Sequence, residues 1–156
     1  MKINLTQNKN FKLFKIISKV AQENNQTVYI VGGYVRDLLM QRKAPTDIDF
    51  VTEQSGIELA KAVGKELGDL KVSVFKTYGT AMIKYQDLHL EFVGARKESY
   101  SEDSRKPAVE TGTLEDDQKR RDFTVNALAI SLNAENFGEL IDPFNGREDM
   151  QNKILR

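Results

Sequence analysis

Apolar residues recur at helical spacing at the start of the chain, then give way to short β-rich runs. Within residues 8–25, Phe11, Phe14, Ile17 and Val20 fall three apart, which predicts an amphipathic helix ended by Asn24 and Asn25. Thr27–Val31 reads as a strand that stops at Gly32-Gly33, and Tyr34–Gln41 as a helix, so the glycine pair is expected to be a strand-to-helix turn. In Asp47–Val51 polar and apolar residues alternate. Asp47, Asp49 and Val51 share one face of a predicted strand, and Ile48 and Phe50 share the other. Ile57–Leu67 returns to helical spacing and closes at Gly68. Three predicted strands follow, Lys71–Thr77, Thr80–Tyr85 and Leu88–Val93. Tyr78-Gly79 and Gln86-Asp87 serve as tight connections, so the run is expected to be antiparallel.

Periodicity fails between Gly94 and Gly112, a stretch of Arg, Lys, Glu, Ser and Pro that reads as a long mobile loop. Thr113–Arg121 resumes as a helix, with Thr113 as N-cap and Asp116 at the third helical position, a variant of the capping box. Asp122 and Thr124 can restart a turn or helix before the apolar stretch Val125–Leu132. Glu139–Ile141 looks like a last short strand, and Gly146 to Arg156 begins another helix. No internal repeat is visible. The order of elements predicts an α+β fold with a mixed, mostly antiparallel sheet flanked by helices.

Composition narrows the chemistry. A chain of 156 residues, 40% of them hydrophobic, suffices for one domain with its own core. No apolar run reaches about 18 residues, which excludes a membrane helix. The N-terminus lacks a signal-peptide core, so a cytoplasmic location is expected. Cysteine is absent, which removes disulfides, thiolate catalysis and thiolate metal ligands together. Any metal must then be held by oxygen, which favours Mg²⁺ or Mn²⁺. The 23 basic and 23 acidic residues cancel, so nucleic acid would need a local patch or another part of the protein.

Four groups of residues carry candidate chemistry. Gly32-Gly33, between a strand and a helix, exposes free N–H groups to an anion, and Arg36 in the first turn can reach a phosphate, with Asp37 orienting it or the loop. The bland alternative is a plain strand–helix turn with a solvated Arg. Asp47 and Asp49 lie on one strand face with Cβ atoms about 6–7 Å apart, a spacing that suits shared metal ions as well as it suits a solvated strand edge. Glu91 stands in an otherwise apolar strand, where an acid is costly to bury unless it meets a cation. It is a candidate third ligand or base, or else an exposed edge residue. The single histidine, His89, reads as a surface residue. In Arg120-Arg121-Asp122-Phe123-Thr124-Val125-Asn126, the arginines offer forked donors to phosphate, and Asp122 and Asn126 can bond ribose hydroxyls or a base edge. An Arg-rich helix end followed by an Asp cap accounts for the same residues.

Together these segments resemble a known family. Gly-Gly-x-Val-Arg-Asp-Leu-Leu, Asp-Ile-Asp, Arg-Arg-Asp-Phe-Thr-x-Asn-Ala-Leu and Ile-Asp-Pro-x-x-Gly occur in order between about Thr27 and Arg156. The combination is similar to the head domain of class II tRNA nucleotidyltransferases (CCA-adding enzymes) and bacterial poly(A) polymerases. The resemblance implies a DNA polymerase beta-like nucleotidyltransferase fold. It further implies that Gly32, Gly33 and Arg36 hold a triphosphate and that Asp47 and Asp49 bind two Mg²⁺. Arg121, Asp122 and Asn126 would help bind the nucleotide's sugar and phosphates, and Glu91 takes the place of the third acid. The Glu98–Pro107 stretch is similar to the family's flexible loop, which takes part in nucleotide selection.

The expected activity is addition of CMP and AMP from CTP and ATP to the 3′ end of an RNA, a tRNA. A poly(A) polymerase or an A- or CC-adding enzyme shares every motif. In the family a neck helix with a Glu-Asp-x-x-Arg motif reads the incoming base, and nothing here matches it. Residues 1–145 are therefore expected to be the head and 146–156 the start of a truncated neck. A third reading is a nucleotide- and metal-binding module inactive on RNA as a fragment. The sequence carries no signal of oligomeric state.

Overall fold

A computed structural model describes residues 1–100 and 107–153, with 97–100 and 107–111 described as backbone only. The order is α1 (Phe11–Glu23), β1 (Tyr29–Val31), α2 (Gly33–Leu39), β2 (Asp47–Thr52), α3 (Gly56–Glu66), β3 (Val72–Phe75), β4 (Thr80–Tyr85) and β5 (Leu88–Gly94). It continues with β6 (Arg96–Tyr100), β7 (Pro107–Thr111), α4 (Leu114–Lys119), β8 (Ala129–Ser131), β9 (Leu140–Ile141) and α5 (Gly146–Gln151). Seven strands form one sheet in the order β3-β4-β5-β2-β1-β8-β9. Only the central β2–β5 pair is parallel. Among the described residues no helix is long and apolar enough to cross a membrane.

The alternation in β2 sorts its side chains between two environments. Ile48 and Phe50 join Ile30, Leu90, Phe92 and Ile130 on one face, where Phe14 and Ile17 of α1 and Leu59 and Val63 of α3 cover them. Phe50 and Phe92 stack at 5.0 Å, and Phe14 meets Phe50 edge-on at 6.3 Å. Each such buried side chain is worth about 1.5–3 kcal/mol of burial. This fixes the register of β2 against β5, because a one-residue slip would turn the phenylalanines outward and the aspartates into the core. On the opposite face, Leu114 of α4 closes a smaller cluster with Val31, Val51, Ala95 and Ala129. That cover stops short of β3 and β4, whose residues Phe75 and Met82 stay exposed.

The structure corrects several expectations. Gly94–Gly112 is not a structureless loop: β6 and β7 pair antiparallel from Arg96↔Thr111 to Tyr100↔Pro107. Arg-Lys-Glu-Ser-Tyr has no alternation of apolar and polar residues, so its sequence offers no strand period to read. Residues 101–106, the middle of the stretch likened to a flexible loop, lie outside the described residues. The strand expected over Lys71–Thr77 ends at Phe75 and turns into a 3₁₀ turn, Lys76–Tyr78. The apolar run Val125–Leu132 divides into a 3₁₀ turn (Thr124–Asn126) and β8, which is buried along its whole length. The helix at Thr113 forms with its capping box complete, since Asp116 Oδ2 accepts from the Thr113 N–H at 2.8 Å, but it ends at Lys119.

Candidate active site

The parallel pairing of β2 with β5 builds the centre of the site. It sets Asp47 opposite His89 and Asp49 opposite Glu91, on the face turned away from the aromatic core. His89 is half-exposed, as expected of a surface residue, yet its Nδ1 lies 3.3 Å from Asp47 Oδ1. Asp49 and Glu91 lie within hydrogen-bonding reach of each other, a contact that favours the protonated form of Asp49. Burial first, then the bond to Glu91 and its charge, push the Asp49 carboxyl up to about 6, with Asp47 adding and Arg121 opposing. Among the described residues, no three acidic or imidazole side chains gather tightly enough to enclose a metal ion. The four side chains stand instead as two neighbouring pairs, Asp47 with His89 and Asp49 with Glu91. Their chemistry still fits a hard divalent cation: three carboxylates on adjacent strands repel one another, and a cation's positive charge would relieve that repulsion.

Cationic groups border the carboxylates on the β1 side. Val31 pairs with Asp49 across β1 and β2, so Gly32, the next residue, begins beside the Asp49 carboxylate. Gly32 has φ +75°, and a Cβ there would lie 3.4 Å from Asp49 Oδ2 and 3.6 Å from Arg121 Nη1. A side chain at this position would be strained and would press into the site. Glycine lets β1 turn directly into α2, leaving the N–H groups of Gly33 and Tyr34 outside the helical ladder. Tyr34 locks that turn to α1, donating to Asn8 Oδ1 and accepting from Asn10 Nδ2.

Arg36 ties two motifs together, donating from Nε to Asp37 Oδ1 at 3.1 Å and from Nη1 to Asn126 Oδ1 at 3.0 Å. Asp37 thus accepts from Arg36 and also faces Arg42. Arg121 is fixed by Asp117, whose side chain is fully buried and accepts from Arg120 at 3.0 Å and from Arg121 through Nε and Nη2 at 3.0 Å. A small cavity of about 210 Å³ brings Asp49, Glu91, Arg96, Arg120 and Arg121 to one opening. Asp122 is exposed and stands outside this hydrogen-bond network.

Sequence reasoning passed over Asp117, Arg96 and the His89–Asp47 contact. The i, i+3 and i, i+4 spacing of Asp117 to Arg120 and Arg121 was a local signal for the first. Nothing local could signal Arg96 or the contact, which depend on the long-range pairing of β2 with β5.

Comparison with known proteins agrees with this geometry. Residues 28–156 match the poly A polymerase head domain. An A-adding tRNA nucleotidyltransferase of Aquifex aeolicus is 47% identical over 128 residues, covering 82% of this chain and 15% of that protein. A CCA-adding enzyme of Geobacillus sp. is 36% identical over 141 residues, covering 89% of this chain and 32% of that one. A solved tRNA-processing enzyme in its apo form superposes with a TM-score of 0.86 at 40% identity, covering all of this chain and 38% of its own. The chain thus spans a third or less of the length of these curated relatives. The motifs, the sheet order and the match over residues 28–156 agree: the chain belongs to the poly A polymerase head-domain family, with the DNA polymerase beta-like nucleotidyltransferase fold.

Proposed function

We propose that the protein carrying this domain transfers a nucleoside monophosphate from ATP or CTP to the 3′-hydroxyl of a tRNA, releasing pyrophosphate. The observation that carries this reading is the convergence of Gly32, Asp49 and Arg121 at one point, with Glu91 directly across from Asp49. In this reading Asp47 and Asp49 hold divalent cations, Mg²⁺ or Mn²⁺, and Glu91 is the third acid of the site. Bound there, the metal supplies charge neutralisation for the triphosphate and acidifies the attacking hydroxyl. Arg36 and Arg121, each held by a carboxylate, present rigid forks to the phosphates, and the Gly33 and Tyr34 N–H groups add donors. Asn126, already bonded to Arg36, and the exposed Asp122 help bind the sugar and phosphates. Pinning these groups in advance is what in-line phosphoryl transfer demands, because positioning and charge supply most of its catalysis.

Residues 1–145 form the head in this account, and α5 begins the connection to a neck. The higher identity to the A-adding relative favours a second reading, in which ATP is the only donor. Extension assays with the full-length protein, on RNA ending with and without Cyt-Cyt and with ATP or CTP alone, separate the two. In the same assay Asp47→Ala or Asp49→Ala is expected to abolish incorporation while the fold persists. Incorporation retained above a few per cent of wild type would remove the metal assignment.

A further inference from the structure

The sheet face continues beyond the carboxylates. Across the strands, Asp49 is followed by Glu91, Met82 and Ser73, and Asp47 by His89 and Lys84. These outer positions of β3 and β4 share the face of the carboxylates, and the α4 cover does not reach them. They line a groove of about 360 Å³ with Lys71, Ser73, Phe75, Met82, Lys84 and His89 around it. Phe75 is 47% and Met82 36% exposed. Among the described residues no acidic side chain lines the groove, although the chain as a whole carries no net charge.

Geometry says what belongs there. In the reading above, of the groups that hold the triphosphate, Gly32 borders Asp49 at the end of β1 with Arg121 beside it, and Arg36 follows in α2, the helix that continues from β1. In-line displacement places the attacking oxygen opposite the leaving pyrophosphate. The nucleophile must then approach the carboxylates from the β5 and β4 side, where the groove begins at His89.

We propose that the exposed face of β3 and β4 is the seat of the RNA acceptor's single-stranded 3′-terminal nucleotides. Phe75 and Met82 form a platform for the bases, and Lys71 and Lys84 meet the phosphates. An exposed aromatic flanked by cations is the surface that binds single strands without reading sequence. It directs a 3′-hydroxyl past His89 towards Asp47 and Asp49. This inference rests on the transfer reaction proposed above.

The test uses the full-length protein and a short single-stranded RNA with 2-aminopurine at its penultimate position. Fluorescence titration gives RNA affinity and stacking, calorimetry gives Mg²⁺–ATP affinity, and incorporation is followed in parallel. Phe75→Ala is expected to relieve the quenching and weaken RNA binding about tenfold. The exposed pair Lys71→Glu and Lys84→Glu should make the log–log salt dependence of RNA binding shallower by about 1.4, the share of two single-strand phosphate contacts. Nucleotide affinity should stay within about twofold in both variants. Unchanged RNA affinity and salt slope would overturn the proposal, as would a loss of nucleotide affinity equal to the loss for RNA. If the wild type incorporates nucleotide while the variants bind RNA normally, the face alone is refuted. A wild type that binds and quenches the RNA but incorporates nothing refutes the transfer reaction and leaves the face standing.

Discussion

Replacing Asp49 with Asn is expected to stabilise the metal-free protein at neutral pH while destroying the proposed site. The Asp49 carboxyl is raised from 3.8 to about 6, chiefly by burial and by Glu91. The folded state therefore holds this proton more tightly than the unfolded chain does. Stability from this group is full below about pH 4, falls as the pH rises through about 6, and stays low above it. Two units at about 1.4 kcal/mol each give ~3 kcal/mol as an upper bound, and partial solvent contact reduces it to roughly 1–2 kcal/mol. Asn is uncharged, and its amide can donate to Glu91 where the wild type needs a proton. In chelator, Asp49→Asn should then melt about 3–6 °C above wild type near pH 8, with the gap closing near pH 4. Metal should largely close the gap near pH 8. At tenfold excess over its Kd, Mg²⁺ would stabilise the wild type by about 1.4 kcal/mol and the variant hardly at all. A variant no more stable than wild type near pH 8, or a gap independent of pH, would refute the reasoning.

Three further substitutions probe the supports of the site. Asp117→Ala strips a buried carboxylate from under Arg120 and Arg121 and should cost about 3–5 kcal/mol in urea unfolding, with loss of Mg²⁺–ATP binding by calorimetry. Gly32→Ala forces a Cβ into the φ +75° conformation and should lower stability by about 1–2 kcal/mol; a variant as stable as wild type that binds nucleotide normally would contradict the close approach to Asp49. Thr124→Val removes the hydroxyl that donates to Asp149 Oδ2 at 2.6 Å, and should destabilise by about 1.5–3 kcal/mol in the same unfolding assay.

The parts of this site that depend on local pattern were legible in the sequence. Alternation in β2 placed Asp47 and Asp49 together on the face away from the core, and Thr113 and Asp116 form their capping box because both partners lie within one turn. The tight turns joining β3, β4 and β5 followed from Gly79, in the left-handed conformation, and from Gln86-Asp87. Long-range pairing was not legible. The parallel register that sets Glu91 beside Asp49 joins residues more than forty apart, and no local period encodes it. β8 is buried from end to end and reads only as an apolar run, whereas the β6–β7 pair reads as loop. The burial of Asp117 is likewise marked by no apolar period, although its spacing to Arg120 and Arg121 permits the pairs that satisfy it.

Paramagnetic Mn²⁺ tests the central claim most directly. Titrated with a non-hydrolysable ATP analogue into the isotopically labelled protein, it should first broaden the amide signals of Asp47–Asp49, Glu91 and Gly32–Gly33. The Glu23 end of α1, which carries acid but no part of the site, should stay sharp. Broadening that begins elsewhere, or that persists unchanged at Asp47–Asp49 in the Asp49→Asn variant, would contradict a metal–nucleotide site built on the β2–β5 carboxylates.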